Sequence, residues 1–530
     1  MKLFPAGKEG RIPYTIVKSP ETSTRSVSMK HVPDLVKSDG PIDAMKKFVL
    51  KRSVVSKLYQ SLTGEMEDLK KLSKLLSTDV ANPGLRAFLK GLFRDIEYER
   101  GMAKLFTRVG QALNPTARRK LVENLIYNWG FVGQTIREEQ STYDTYIPRL
   151  AVLSPSMKCN LNCKGCYSGL YEKDGELTEA EIEDILEQMR KLGMYFVVVS
   201  GGEPYLHRSM WLRLFRKFND MYFLTYTNGT LIDKKTADEL GRLGNVAPAI
   251  SVEGYREETD ERRGEGVYEK TMQAMDHLRN AGVLFGISVT YTRTNIDTIT
   301  QDEFVKYYID RGAIFAWYFM FMPVGKDPIL DLVPTPEQRF YTGKEVERLR
   351  TEYPMFIADF WNDGPAAGGC LAGGRNYLHI LNSGRVEPCV FAHFGVDNIR
   401  EKNLLEAANS EFFKAIRNKF PYNENGNLKR PCMIIDNPQV LREVVQTYLV
   451  PQGHEHSEDL IRDPNVVKWI DRYAEEFRKL TDPVWEQQIN DPEDRWYKNG
   501  KEYHNLFWFQ RQAEARAHTT GHAEEKEPVA

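Results

Sequence analysis

A chain of 530 residues, 41% hydrophobic and 28% charged with a formal net charge of −2, is long enough for two or three folded units of globular type. No apolar run reaches bilayer-spanning length, and Met1 to Lys8 has no apolar signal core, so neither a transmembrane span nor export is expected. In the reducing cytoplasm that this implies, six cysteines read as metal ligands rather than disulfides.

The first 145 residues carry 25 Lys and Arg against 16 Asp and Glu, so the remainder is acidic. Met45, Phe48, Val49, Val55, Leu58, Tyr59 and Leu62 keep three- and four-residue steps after a candidate N-cap, Asp43. Lys46, Lys47, Lys51, Arg52 and Lys57 supply charge with no acid between them. Such a basic amphipathic helix either lies on an anionic membrane or packs its apolar face on its own protein, and packing is the expectation. Helical patterns continue over residues 65–77, 84–108 and 116–139, which makes residues 1–145 a basic, helix-rich region.

After Tyr146-Ile147-Pro148 the period changes. Strands are predicted at residues 149–155, 195–200, 222–227, 247–252, 284–292 and 314–322, with amphipathic helices between most of them. Thr178 and Glu181 form a capping box before a helix at 179–192. This alternation points to parallel strands joined by right-handed crossovers, a fold that gathers ligands at the carboxyl ends of its strands.

Two motifs fall at such ends. Cys159-Asn-Leu-Asn-Cys163-Lys-Gly-Cys166 packs three thiols into eight residues with no fourth Cys or His nearby. Structural zinc takes four closed ligands, whereas three thiolates suit a 4Fe-4S cluster with one open iron. The apolar run Tyr195 to Val199 delivers Ser200-Gly201-Gly202-Glu203-Pro204, where two glycines permit close backbone approach to a ligand and a carboxylate accepts hydrogen bonds from an ammonium group.

The CxxxCxxC run followed by GGEP resembles the radical S-adenosylmethionine (SAM) enzymes. The resemblance implies a partial (β/α)6 barrel over residues 146–330. It further implies that Cys159, Cys163 and Cys166 hold a cluster whose open iron chelates the methionyl group of SAM. One-electron cleavage of SAM to a 5'-deoxyadenosyl radical follows, and the radical takes hydrogen from the substrate. By the same resemblance, Gly201, Gly202, Glu203 and Pro204, with Thr227, Asn228, Ser251 and Arg263 at later strand ends, bind the cofactor. Glu203 takes the ammonium group, Ser251 the ribose or carboxylate, and Arg263 the carboxylate. The chain departs from the family in having Gly165 where many members carry an aromatic or His before the third cysteine, with Tyr167 following instead, so the resemblance does not carry the usual stacking contact with adenine over to this chain.

Cys370, Cys389 and Cys432 form a second trio. The spacing of Cys370, Gly384 and Cys389 resembles the start of the auxiliary-cluster motif of SPASM and twitch radical SAM enzymes, and Tyr377 to Cys389 reads as a hairpin turning at Asn382-Ser383-Gly384. A full SPASM domain has more cysteines, so one auxiliary 4Fe-4S cluster is the limit. Its fourth ligand is left among water, substrate, His393 and Asp436. Residues 331–450 are expected to form this domain. Residues 451–530 are expected to form a helical extension whose end, from about 513, is a polar tail without fixed structure.

The resemblance implies a low-potential electron donor such as ferredoxin or flavodoxin, and relatives with auxiliary clusters favour a peptide or protein substrate. A membrane lipid, with peripheral membrane contact through the basic helix, is the rival. A non-enzymatic iron or zinc protein is the reading from another class, and it leaves Gly201 to Glu203 without a task. Nucleic acid is not expected, because no RNA-binding module is recognisable.

Overall fold

Six short apolar runs become six consecutive parallel strands because a sheet covered by helices on its crossovers buries both residue faces, which β-branched and aromatic side chains fill best. In the computed structural model these are β1 (Leu150–Ser154), β2 (Phe196–Val199), β3 (Tyr222–Thr227), β4 (Val246–Val252), β5 (Gly286–Tyr291) and β6 (Phe315–Met320), each paired in parallel with the next. Residues 101–141, 145–326 and 329–491 are described, together with Ser56 and Tyr59. Apart from those two residues, the basic segment expected at 43–62 lies outside them, as do the helix at 65–77 and the tail from 513.

The expected capping box forms. Glu181 donates its backbone N–H to Thr178 Oγ1 at 3.2 Å, and Thr178 donates its own to Glu181 Oε2 at 2.7 Å, opening the helix Glu179–Lys191. Ile182, Ile185, Leu186 and Met189 form its buried stripe. The pattern at 116–139 takes a less regular course than a single α-helix: Pro115–Lys120 is α, Leu121–Val132 is π-helical and Gly133–Gln140 is α again. Within the wider turn the Asn124 amide donates to the Asn219 and Met221 carbonyls, at 2.8 and 2.9 Å, and so ties this helix to the approach to β3.

The parallel sheet runs on beyond the sixth strand. β7 (Phe356–Asp359) adds in parallel to β6, and β8 (Tyr377–Leu381) adds in parallel to β1, so the later part of the chain supplies both flanks. β9 (Arg385–Glu387) turns back antiparallel on β8, and β10 (Asp397–Asn398) on β9. The predicted hairpin is therefore β8–β9, and β8 also fastens it to β1, from Leu150 opposite Tyr377 to Ser154 opposite Leu381. Buried polar groups lock this seam. His379 Nε2 lies 2.8 Å from Ser154 Oγ and its Nδ1 3.3 Å from Glu387 Oε2, while the Tyr171 hydroxyl donates to the same Glu387 oxygen at 2.8 Å.

The helix Pro464–Asn490 packs on the helix Pro336–Glu352 over a wholly buried ion pair. Arg339 makes a two-pronged contact with Asp436, at 2.5 and 3.1 Å, and the Phe477 ring lies 3.9 Å from the guanidinium carbon. Neither side chain of the pair touches solvent. Arg339→Met leaves the Asp436 carboxylate buried without its cation, so it is expected to cost about 3–5 kcal/mol in denaturant unfolding. A loss under 1 kcal/mol would mean that the pair is not dry.

Candidate active site

The carboxyl end of β1 leads into a long loop, residues 155–178, that carries the first three cysteines, and the end of β2 runs alongside it. Gly202 N–H donates to the Ser156 carbonyl at 2.9 Å, and Glu203 N–H to the Lys158 carbonyl at 2.8 Å. A Cβ on Gly202 would sit 2.0 Å from the Lys158 oxygen, and one on Gly201, whose φ is +104°, would sit 2.4 Å from the Ser156 oxygen. The two glycines thus let the cysteine loop itself approach, where the sequence reading gave the space to a ligand. Two further elements clamp the loop: Lys164 N–H donates to the Arg262 carbonyl at 2.9 Å, and Lys326 N–H to the Cys166 carbonyl at 3.0 Å.

Glu203 is buried and accepts three hydrogen bonds. Thr227 Oγ1 (2.7 Å) and Tyr205 N–H (3.0 Å) reach Oε1, and Asn228 N–H (2.8 Å) reaches Oε2. Burial raises its carboxyl above the usual range, and these donors oppose the rise. A carboxylate has about four acceptor positions, so one, on Oε2, is left for an outside donor. Thr227 and Asn228 therefore hold Glu203 in place. The Asn228 amide also donates to Asn160 Oδ1 at 3.0 Å, next to Cys159. Pro204 begins the short 3-10 helix Pro204–His207 and faces a separate, smaller cavity.

Arg263 does not present an open fork. Its Nε and Nη2 both donate to Oε1 of Glu253, at 2.7 and 2.6 Å, and Arg262 Nη1 reaches the same oxygen at 2.6 Å. Oε2 of this buried glutamate has no hydrogen-bond partner. The sequence reading gives Glu253 no role, since one carboxylate after a strand resembles any loop acid. Burial pushes the Cys159 and Cys163 thiols up, and at Cys163 the Arg263 and Arg262 charges pull back toward thiolate.

One cavity of about 500 Å³ brings these groups together. Cys159, Cys163 and Cys166 line it with Gly201, Gly202, Glu203, Thr227, Asn228, Ser251, Arg262 and Arg263, while Trp317, Phe319, Phe360 and Phe391 give it aromatic walls. Gly165, with φ +64°, has the Phe321 ring where a Cβ would be, 2.5 Å away. An aromatic ring from the end of β6 thus stands against Gly165, on the side of the third cysteine opposite Tyr167 in sequence, and both rings line the same cavity.

The second trio gathers where the β8–β9 hairpin meets the loops on either side. Gly373 N–H donates to the Pro388 carbonyl at 2.7 Å, which draws the Cys370 loop to Cys389, and the Tyr377 hydroxyl donates to Cys389 Sγ at 3.2 Å. Burial lifts the Cys370 thiol to about 12, and the Cys389 and Cys432 thiols also rise. Such thiols bind metal by giving up protons. Both side chains named as a fourth ligand are engaged elsewhere. His393 Nδ1 meets His454 Nε2 at 2.6 Å and its Nε2 meets the Val390 carbonyl at 3.0 Å, while Asp436 holds Arg339 and accepts from Cys432 N–H at 3.0 Å. Among the described residues no three His, Cys, Asp or Glu side chains converge on a single-ion site.

The chain is similar to the AdoMet-dependent heme synthase of Methanosarcina barkeri, 28% identical over 327 residues that cover 56% of this chain and 90% of that one. It is also similar to the mycofactocin maturase MftC of Mycobacterium tuberculosis, 28% identical over 276 residues covering 49% and 70%. Among solved structures, Streptococcus suis SuiB bound to precursor peptide SuiA aligns with a TM-score of 0.47 at 16% identity, covering 66% of this chain and 93% of that one. Residues 153–308 match the family model of the radical SAM superfamily and residues 370–433 that of SPASM, an iron-sulfur cluster-binding domain. The chain belongs to the radical SAM superfamily: it is a radical SAM enzyme with a SPASM domain, and its cofactors are S-adenosylmethionine and 4Fe-4S clusters.

Proposed function

We propose that Cys159, Cys163 and Cys166 hold the SAM-binding cluster, that Cys370, Cys389 and Cys432 hold the auxiliary one, and that the substrate is a peptide or protein. The shared cavity carries this reading. The first trio forms one wall, and Leu371, Tyr377, Val390 and Phe391, which neighbour or bond Cys370 and Cys389, form another. A substrate side chain in that space lies between both thiol sets, in a volume ordinary for a small-molecule site. Similarity to the mycofactocin maturases favours a peptide.

When bound, the first cluster and SAM supply the 5'-deoxyadenosyl radical that takes a hydrogen atom. The chain's own task is to bind, orient and exclude water. The open acceptor position on Glu203 suits the SAM ammonium group, the Arg262–Arg263 pair places positive charge beside Cys163, and Ser251 offers a hydroxyl from β4. Phe319, Trp317 and Phe360 keep the reacting centre dry. A ferredoxin or flavodoxin is the class of donor that supplies the electron.

Glu203→Gln exchanges an acceptor for a donor among three fixed donors. It is expected to cost about 1–3 kcal/mol of stability and to weaken SAM binding by roughly 10-fold or more. Melting and equilibrium dialysis measure the two effects. Unchanged SAM affinity in a destabilised variant would assign Glu203 to loop support alone.

A second reading, an iron porphyrin substrate, is favoured by the similarity to heme synthases together with the flat aromatic walls and the cations Arg149 and Lys173 in the cavity. Anaerobically reconstituted, reduced enzyme with SAM is to be offered a short-peptide library, an iron porphyrin and lipid vesicles, with substrate masses recorded. A mass change confined to peptides is expected. A change confined to the porphyrin or the lipid would overturn the peptide assignment.

A further inference from the structure

Three thiols leave one iron of a 4Fe-4S auxiliary cluster without a thiolate, and the engagement of His393 and Asp436 leaves the position unassigned. Tyr422 is 4% exposed, yet its hydroxyl has no hydrogen-bond partner, although a buried phenol almost always finds one. A Cβ on Gly373 would come within 3.0 Å of this oxygen, and Gly373 N–H bonds the Pro388 carbonyl, so the hydroxyl sits where the Cys370 loop meets the chain just before Cys389. Tyr377, by contrast, already spends its hydroxyl on Cys389.

The surroundings hold the ring at this spot. The Tyr422 backbone is left-handed, with φ 71°, a rare state for a bulky residue and one that persists where the neighbourhood imposes it. The Phe420 ring meets it edge-on at 5.4 Å.

We propose that the Tyr422 oxygen is the fourth protein ligand of the auxiliary cluster. On binding, the phenol O–H bond breaks, an iron–oxygen bond forms and the proton leaves to solvent, with no change in oxidation state. The inference rests on the reading that Cys370, Cys389 and Cys432 hold a cluster, and the experiment separates the two. Full-length protein with Cys159, Cys163 and Cys166 replaced by Ala keeps only the auxiliary site, and it is reconstituted with and without Tyr422→Phe. In the tyrosine form, labelling with phenol-17O tyrosine is expected to give an oxygen hyperfine coupling in the EPR of the reduced cluster, and added cyanide is expected to leave the spectrum unchanged. The Tyr422→Phe form is expected to bind cyanide at the freed iron and shift its spectrum. A cluster without 17O coupling in the tyrosine form overturns the ligand assignment even if Tyr422→Phe fails to fold. Absence of any cluster in the tyrosine form overturns the underlying cysteine reading as well.

Discussion

Replacing Cys159, Cys163 and Cys166 together by Ala is expected to abolish formation of 5'-deoxyadenosine and methionine from SAM and to leave the second cluster in place. The fold is expected to survive, because Cys159 is exposed and Cys163 and Cys166 are only half-buried, so little packing is lost. The loop is held by its backbone instead, through Gly202 to Ser156, Glu203 to Lys158 and Lys164 to Arg262. With the thiolates gone, Glu203, Asn228 and Arg263 remain in position but have no open iron to serve. Chromatography of the nucleoside product measures the effect. Cleavage retained in the triple variant would contradict the assignment of the open iron.

The same replacement at Cys370, Cys389 and Cys432 is expected to spare SAM cleavage and abolish modified substrate. These thiols lie on the loops before and after the β8–β9 hairpin, and the groups that hold Glu203 and Arg263 come from the ends of β2, β3 and β4, so their loss is not expected to reach the SAM side of the cavity. The substrate side does change, since Leu371, Tyr377, Val390 and Phe391 are anchored by the second trio's loops. Cys389 is buried and its Tyr377 hydroxyl partner would be stranded, so a stability cost of about 1–3 kcal/mol accompanies the variant. An intact first-cluster spectrum establishes that it remains folded. Equal loss of cleavage and product in such a protein would contradict the division of labour.

The strands were legible because each is an apolar run of four to seven residues bounded by turn residues, and the structure places all six within two residues of the sequence reading. The pairing of β8 with β1 was not legible, since Tyr377 to Leu381 announces only its local hairpin partner and its other edge is satisfied by a strand more than two hundred residues earlier. The π-helical turn over Leu121–Val132 likewise answers to contacts with the β3 approach rather than to its own period. At the site, the spacing of Cys159, Cys163 and Cys166 identified thiols that do share one cavity, and Gly201 and Gly202, read as a close approach to a ligand, line that cavity while also packing against the cysteine loop. Glu253, Arg262, Phe321 and Tyr422 escaped notice because a lone acid, base or ring carries no spacing, and only the fold reveals what each one touches.

Two proposed cluster sites, one lining the cavity and one behind its Leu371, Tyr377, Val390 and Phe391 wall, are the central claim, and metal content tests them most directly. Protein reconstituted without oxygen is to be assayed for iron, acid-labile sulfide and zinc, with Mössbauer spectra of the wild type and of each triple-alanine variant. About eight irons with matching sulfide are expected in the wild type and about four in each variant. Stoichiometric zinc without sulfide, or loss of all iron when either trio alone is removed, would contradict it.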